Sequence, residues 1–186
     1  MKIIKNNQFK VAKWAGGVTT ELFIFPENAS VTARDFDWRI SSAVVEEEES
    51  DFSLFEGYER ILIPLTGDLE MIHQIPTGEL IQKVSKFELA RFDGNWQTKG
   101  KGKLTDFNFI FKSKFNPKVE LIFGKKNLPL EIKISPIAFY LYEGSIQLNN
   151  ECFNSPVLMM DFSPEDLIIN CLTDCIFVCV QLNAFS

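Results

Sequence analysis

Apolar positions along this chain recur in short runs, and the i, i+3, i+4 spacing of an amphipathic helix is nearly absent. Segments rich in β-branched and aromatic residues run from Thr20 to Phe25, Trp38 to Val45, Arg60 to Leu65, Leu69 to Ile75 and Phe107 to Lys112. The second half adds Val119 to Phe123, Leu130 to Ile134, Ile137 to Tyr142, Ser145 to Leu148, Val157 to Met160 and Cys175 to Leu182. Gly, Pro, Asn or Asp separates most of them, which is the punctuation of a β-sandwich or barrel. Helix is expected in less than about a fifth of the residues. Ser163-Pro164-Glu165-Asp166, with an N-cap residue, Pro at the first helical position and acids after it, predicts one helical turn. Phe52 to Tyr58 is a second candidate.

Two peptides resemble each other: Leu65-Thr66-Gly67-Asp68-Leu69-Glu70-Met71 and Tyr142-Glu143-Gly144-Ser145-Ile146-Gln147-Leu148. Each reads as a strand, a tight Gly turn and a strand, the Gly supplying the positive φ of a short hairpin. The pair points to a duplicated unit, although two similar hairpins also arise independently in β proteins. The expected organisation is a first barrel over 1–115 and a smaller one over 116–186, packed as one compact unit. The break falls near Asn116-Pro117.

Composition narrows the function classes. The 186 residues include 18 Phe, enough to fill a large core. A net charge of -6 repels nucleic-acid backbones and anionic lipid, so neither nucleic acid nor membrane is expected as a partner. No apolar run has the length of a signal peptide or a membrane span, which places the chain in the cytoplasm with reduced cysteines.

Strand alternation puts Trp38, Ile40, Ser42 and Val44 on one face and Arg39, Ser41, Ala43 and Val45 on the other. The Arg39 face is small and mixed, as the wall of a polar lumen would be. Arg60 opens the next strongly apolar strand. A buried guanidinium needs an anionic or hydrogen-bonding partner, and its planar fork suits a carboxylate. That partner is either a small anionic ligand or an internal acid: Glu21, Asp37 or Asp106. Thr19, Thr20, Ser41 and Asn108 could orient such a ligand, and Trp14, Trp38 and Phe107 could wall its pocket, with strand-edge bonding and core packing as the alternatives.

The single histidine, His73, lies in a strand and reads as a packed residue. Cys171, Cys175 and Cys179 carry no CxxC pair and sit in apolar sequence, so they read as core. Glu46 to Glu49 reads as a solvated acidic run without the alternating ligand spacing of a calcium loop. No catalytic constellation and no metal or other cofactor follows from these residues.

Trp14 with Gly16-Gly17, Thr19-Thr20-Glu21, Phe36-Asp37-Trp38-Arg39-Ile40-Ser41, Phe52-Ser53-Leu54-Phe55-Glu56-Gly57, Arg60, Phe92-Asp93-Gly94 and Thr105-Asp106-Phe107-Asn108 occur in this order. Taken together they resemble the HutD/Ves family over roughly Trp14 to Phe109. The resemblance implies an all-β fold of two double-stranded β-helix barrels, a bicupin of the RmlC-like type, and a link to histidine utilisation. The metal site usual in enzymatic cupins takes two or three His and a Glu, which a chain with one His cannot supply. The expected function is therefore a non-catalytic, metal-free carboxylate-binding protein, a regulator or governor of histidine utilisation. Its ligand would be held by Arg39, Arg60, Thr20, Ser41, Asn108, Trp14 and Trp38. Histidine-pathway acids such as urocanate or formylglutamate are the first candidates, and a homodimer is compatible with the sequence. The alternatives are a metal-independent isomerase or hydrolase acting on a small organic acid, or a purely structural partner protein.

Overall fold

The structure, a computed structural model, describes residues 1–132, 136–162 and 167–183. Among these residues the elements are strands and one 3-10 turn, Asn6–Gln8. The helical turn expected at Ser163–Asp166, and the end of the strand expected over Leu130–Ile134, lie outside the described residues. In chain order, β1 (Lys2–Lys5) precedes β2 (Lys10–Trp14), β3 (Gly17–Phe25), β4 (Trp38–Val45), β5 (Glu49–Asp51), β6 (Tyr58–Thr66) and β7 (Leu69–Ile75). Then come β8 (Gly78–Val84), β9 (Ala90–Asp93), β10 (Gln97–Lys101), β11 (Leu104–Lys112), β12 (Asn116–Gly124) and β13 (Pro129–Ile132). The last are β14 (Ala138–Glu143), β15 (Ser145–Leu148), β16 (Glu151–Asn154), β17 (Val157–Met160), β18 (Leu167–Cys171) and β19 (Cys175–Asn183).

The chain divides into two units. One is Lys10–Lys114; the other joins Met1–Phe9 to Phe115 and the residues after it. Residues 1–9 therefore group with the second unit rather than with the first barrel, where the sequence reading puts them. The cause is β1, whose Lys2, Ile3, Ile4 and Lys5 pair antiparallel with Met160, Met159, Leu158 and Val157 of β17.

Each unit is built of a larger and a smaller sheet. The first has β2-β3-β4-β11-β6-β9 and β5-β10-β7-β8; the second has β1-β17-β14-β19-β12 and β13-β18-β15-β16. Matching β4 to β12, β5 to β13, and so on to β11 with β19, makes the two orders identical strand for strand, with β2, β3 and β1 as additions. The similar peptides at Gly67 and Gly144 occupy the same corner of each unit. They are not hairpins, because β6 does not pair with β7, nor β14 with β15. Each glycine, at φ 66° and 105°, carries the chain from the larger sheet into the smaller one. Even the ladder irregularities coincide. Thr105 and Asp106 face Thr66 and Pro64, skipping Leu65, while Ile176 and Phe177 face Glu143 and Leu141, skipping Tyr142. Pro64, which has no N–H to donate, sits at the bulge, where strands tolerate proline. This is the double-stranded β-helix of cupins, present twice.

Both sheets of the first unit contribute to one core, with Val45, Leu62, Met71, Val84, Phe92 and Leu104 among its members. In the second unit Phe139, Leu141, Met159, Cys171, Cys175, Phe177 and Cys179 pack together, and the rings of Phe139 and Phe177 stack 4.6 Å apart. The three cysteines are thus core side chains, and burial pushes the Cys171 and Cys179 thiols up to about 12. The Phe52–Tyr58 candidate helix is instead a loop at the mouth of the first unit. Its Phe55 N–H bonds to Gly94 O, and the Gly94 N–H to Tyr58 O, each at 2.8 Å. A side chain at position 94 would collide with the carbonyls of Phe55 and Tyr58. The glycine of Phe92-Asp93-Gly94 is therefore what lets this loop lie against its strand. Among the described residues no helix is long and apolar enough to cross a membrane.

Candidate functional site

The β-ladder of the first unit arranges its inward side chains as a grid. Arg39, Ile110 and Arg60 are partners across β4, β11 and β6; Ser41, Asn108 and Leu62 form the next row; Ala43, Asp106 and Pro64 the third. Partners across a ladder point to the same face. On the far side of β4, Glu21 of β3 pairs with Ser41 and Thr19 with Ala43. These rows wall a cavity of about 330 Å³, lined by Arg39, Ser41, Arg60, Asp106 and Asn108, with Trp14 and Thr19 at its β2–β3 side and Phe52, Ser53 and Phe55 from the loop.

The cavity gathers Arg39, Arg60, Ser41, Asn108 and Trp14 from the residues expected at a ligand site. It does not gather Thr20 or Trp38. Thr20 faces Ser42 on the opposite side of the sheet, and Thr19 takes the inward position. Trp38 is buried on the Ile40 face, its ring 5.4 Å from Phe23, 5.5 Å from Phe25 and 6.1 Å from Phe109. Phe107 is buried and is not part of the wall. Trp14 closes the β2–β3 connection, in which only Ala15 and Gly16 lie between the paired Trp14 and Gly17. A Cβ on Gly16 would overlap the Trp14 ring, so the glycine is what lets the indole fold over the turn.

The two arginines differ in how they are satisfied. Arg39 Nε bonds to Glu21 Oε2 at 2.8 Å and its Nη1 to Ser41 Oγ at 3.0 Å. Of the three acids weighed for internal pairing, Glu21 is its partner, while Asp37 binds Lys112 at 2.8 Å and Lys114 at 3.3 Å. Arg60 is 6% exposed and has no salt bridge among the described residues; its hydrogen bond, from Nη1 to the Ser53 carbonyl, is long at 3.3 Å. Its Nε is buried without a partner. The rings of Phe52, Phe92 and Phe55 surround the guanidinium at 4.9, 5.2 and 5.6 Å, and cation–π attraction offsets part of its desolvation. Burial still lowers its pKa to about 10. Asn108 Oδ1 is likewise buried and unpartnered.

Asp106 completes the wall. Its Oδ1 accepts the Ala43 N–H at 3.0 Å, yet burial raises the acid from 3.8 to about 6, against the pull of that hydrogen bond and of Arg60 and Arg39. Phe52, Ser53, Phe55 and Asp106 were all within the motifs quoted from the sequence, but the contribution of the first three to a pocket depends on the loop closing against Gly94.

His73 lies elsewhere in the unit. It is fully buried, with Nδ1 2.8 Å from Thr98 Oγ1 and Phe92 and Trp96 against its ring, and burial lowers its pKa. The cavity residues do not fit a metal: two guanidinium groups repel a cation, the lining offers only the carboxylates of Asp51 and Asp106, and the neighbouring Glu21 is held by Arg39. Among the described residues no three His, Cys, Asp or Glu side chains cluster with ligand geometry. Elemental analysis of tag-free protein should accordingly find far less than one transition-metal ion per chain; a stoichiometric zinc, iron, nickel or manganese would contradict this reading of the cavity.

Residues 6–162 match the family model described as HutD. An uncharacterized 21.2 kDa protein of Pseudomonas putida, encoded in the hutC 3' region, is 28% identical over 116 residues, 60% of this chain. The aligned part spans 58% of that relative's length. HutD from Pseudomonas fluorescens SBW25 superposes with a TM-score of 0.69 at 19% identity, covering 98% of this chain and 99% of that one. Bacterial pirin YhhW from Escherichia coli, solved in complex with nickel(II), superposes at 0.68 with 10% identity and 99% of both chains covered, a likeness of fold. With the family model spanning most of its length and two cupin units in its fold, this chain belongs to the HutD family.

Proposed function

We propose that the first unit binds a small carboxylate in its cavity and that the protein serves histidine utilisation as a non-catalytic sensor or governor. The observation that carries this is Arg60: a charged guanidinium, 6% exposed, on a cavity wall, with one weak hydrogen bond and no salt bridge among the described residues, the attraction of Asp106 reaching it without direct contact. A buried charge left unpaired costs several kcal/mol, and an anion in the cavity would recover much of that. Arg39, tied to Glu21 and Ser41, shapes the wall and adds positive potential without being free to swing. Ser41 and Asn108 lie in the row beside the arginines and supply polar contacts, and Trp14 borders the cavity at its mouth. A cavity of about 330 Å³ is the room of about ten waters at roughly 30 Å³ each, which suits metabolites the size of urocanate or formylglutamate.

A thermal-shift panel of small mono- and dicarboxylates, including these two, tests the reading. A ligand at a hundredfold excess over Kd adds about 2.7 kcal/mol, which for a chain of this size raises Tm by on the order of 5–10 °C. Arg60→Gln should fold and lose that shift. Arg39→Gln should weaken it less, and should lower the basal Tm because the partly buried Glu21 then keeps only the longer contact to Lys10, at 3.6 Å. A flat response across the panel would count against carboxylate binding, and an equal response in wild type and Arg60→Gln would remove Arg60 from the site. Conversion of any bound acid, followed by NMR, would instead favour the metal-independent enzyme, for which Asp106 is the available acid–base group.

A further inference from the structure

The cavity holds an acid as well as its arginines, and this restricts what can bind. We infer that Asp106 is a specificity-determining residue that selects carboxylates carrying an N–H donor at the end remote from the carboxylate. The inference rests on the carboxylate-binding reading above and adds the chemical class of the ligand.

The geometry is set by the ladder. Asp106 and Arg60 stand two rows apart on adjacent strands, with Asn108 in the row between. Four residues of strand span roughly 13 Å between backbones, and the two side chains lie near enough for each charge to act on the other. A ligand a few bonds long whose carboxylate meets Arg60 therefore brings its other end toward Asp106. One Asp106 oxygen is engaged by the Ala43 N–H; the other has no protein hydrogen bond among the described residues and belongs to the cavity lining. Asn108 Oδ1, also unpartnered, is a second acceptor beside the path. An N–H on the ligand satisfies these acceptors. A ligand with a methylene in that place leaves a desolvated carboxylate against an apolar group, and hydrogen-bonding sites discriminate strongly against such analogues.

The charged groups around Asp106 are Arg39 on β4, Glu21 on β3, Asp51 on β5 and Arg60 on β6, with His73 beyond Phe92 on β7. Glu21 is committed to Arg39 and Lys10, and His73 to Thr98 and Gln82. Asp51 is exposed to solvent, so Asp106 is the buried wall acid left to face the ligand. Once it is protonated, the penalty against donor-less acids falls, so selectivity should fade as pH drops through about 6.

4-Acetamidobutanoate and 6-oxoheptanoate differ by one replacement, N–H for CH₂, at the end remote from the carboxylate, and provide the test. Titration calorimetry on the intact protein at pH 8 should show 4-acetamidobutanoate binding about tenfold tighter or more. At pH 5 the two affinities should converge, through tighter binding of 6-oxoheptanoate. Asp106→Leu should remove the preference at pH 8 while both acids still bind; if that variant does not fold, the pH series in wild type decides. Equal affinities at pH 8 in wild type, or a preference unchanged by Asp106→Leu, would overturn the inference and leave carboxylate binding standing. Failure of both acids, together with a flat thermal-shift panel, would overturn carboxylate binding itself and this inference with it.

Discussion

Asp106→Asn should make the protein more stable, and the gain should grow with pH. Burial raises the acid from 3.8 to about 6 in the folded chain, so folding favours its neutral form. A carboxyl whose folded pKa lies above its unfolded value contributes stability that is complete below the unfolded pKa and is lost as pH rises through the folded one. The window therefore runs from about pH 4 to about pH 7. At 1.36 kcal/mol per pH unit, the difference between 3.8 and about 6 amounts to about 3 kcal/mol. An amide keeps an oxygen for the Ala43 N–H at this position and carries no charge to desolvate. Its Tm advantage over wild type should be on the order of 5–10 °C at pH 8 and close to zero at pH 4. An advantage independent of pH would show that the acid's ionisation is not the cause. A loss of stability at pH 8 would show that attraction to Arg60 and Arg39 outweighs desolvation. A stability cost of this kind on a cavity wall is what a site retained for binding carries.

The second large effect lies in the other unit. Because the two units share strand order and bulge, their inward positions can be matched. Asn108, opposite Leu62, corresponds to Cys179, opposite Phe139; Asp106, opposite Pro64, corresponds to Phe177, opposite Leu141. Where the first unit presents an acid and an amide to a cavity, the second presents a phenyl ring and a thiol, both fully buried. Phe177→Ala should cost about 3–5 kcal/mol, combining lost transfer energy with the void left against Phe139. Tm should fall by on the order of 10 °C. The proposed carboxylate binding, placed wholly on residues of the first unit, should survive at temperatures where the variant is folded. A loss below about 1 kcal/mol in chemical denaturation would mean that the interior around Phe139 collapses to fill the space.

Strand alternation was enough to place Arg39, Ser41, Ala43 and Val45 on one wall, because β4 runs without a bulge. The same alternation puts Trp38 with Ile40, so counting it among the ligand contacts conflicted with the chain's own period. Thr19 and Thr20 were harder to separate. Both are β-formers, and the phase of β3 is defined by its register on β4, with a bulge following Glu21. The glycine corners at Gly67 and Gly144 looked like hairpins because local sequence specifies a turn but not the strand each arm will join. The dispositions of Arg39 toward Glu21 and of Arg60 toward the rings of Phe52, Phe55 and Phe92 depend on contacts between distant segments, as does the burial that shifts Asp106. A pattern of short-range periodicities carries the wall of a barrel more readily than the state of the groups on it.

The pairing of β1 with β17 has a consequence for how the chain comes off the ribosome. Every strand of the first unit lies between Lys10 and Lys114, so that unit can close while the rest is still being made. β1 is made before every strand of the first unit yet finds its place only after Met160 has emerged, among the longest-range pairings of the described chain. Until then Val157–Met160, four buried apolar residues in a row, lacks a neighbour on one edge once it has docked on β14. An unpaired strand of that composition is prone to recruit another chain. A segment made before the first unit thus acts as the cover for an edge formed after it, and nascent chains are most exposed to misassembly during the interval in which β1 and β17 have yet to meet.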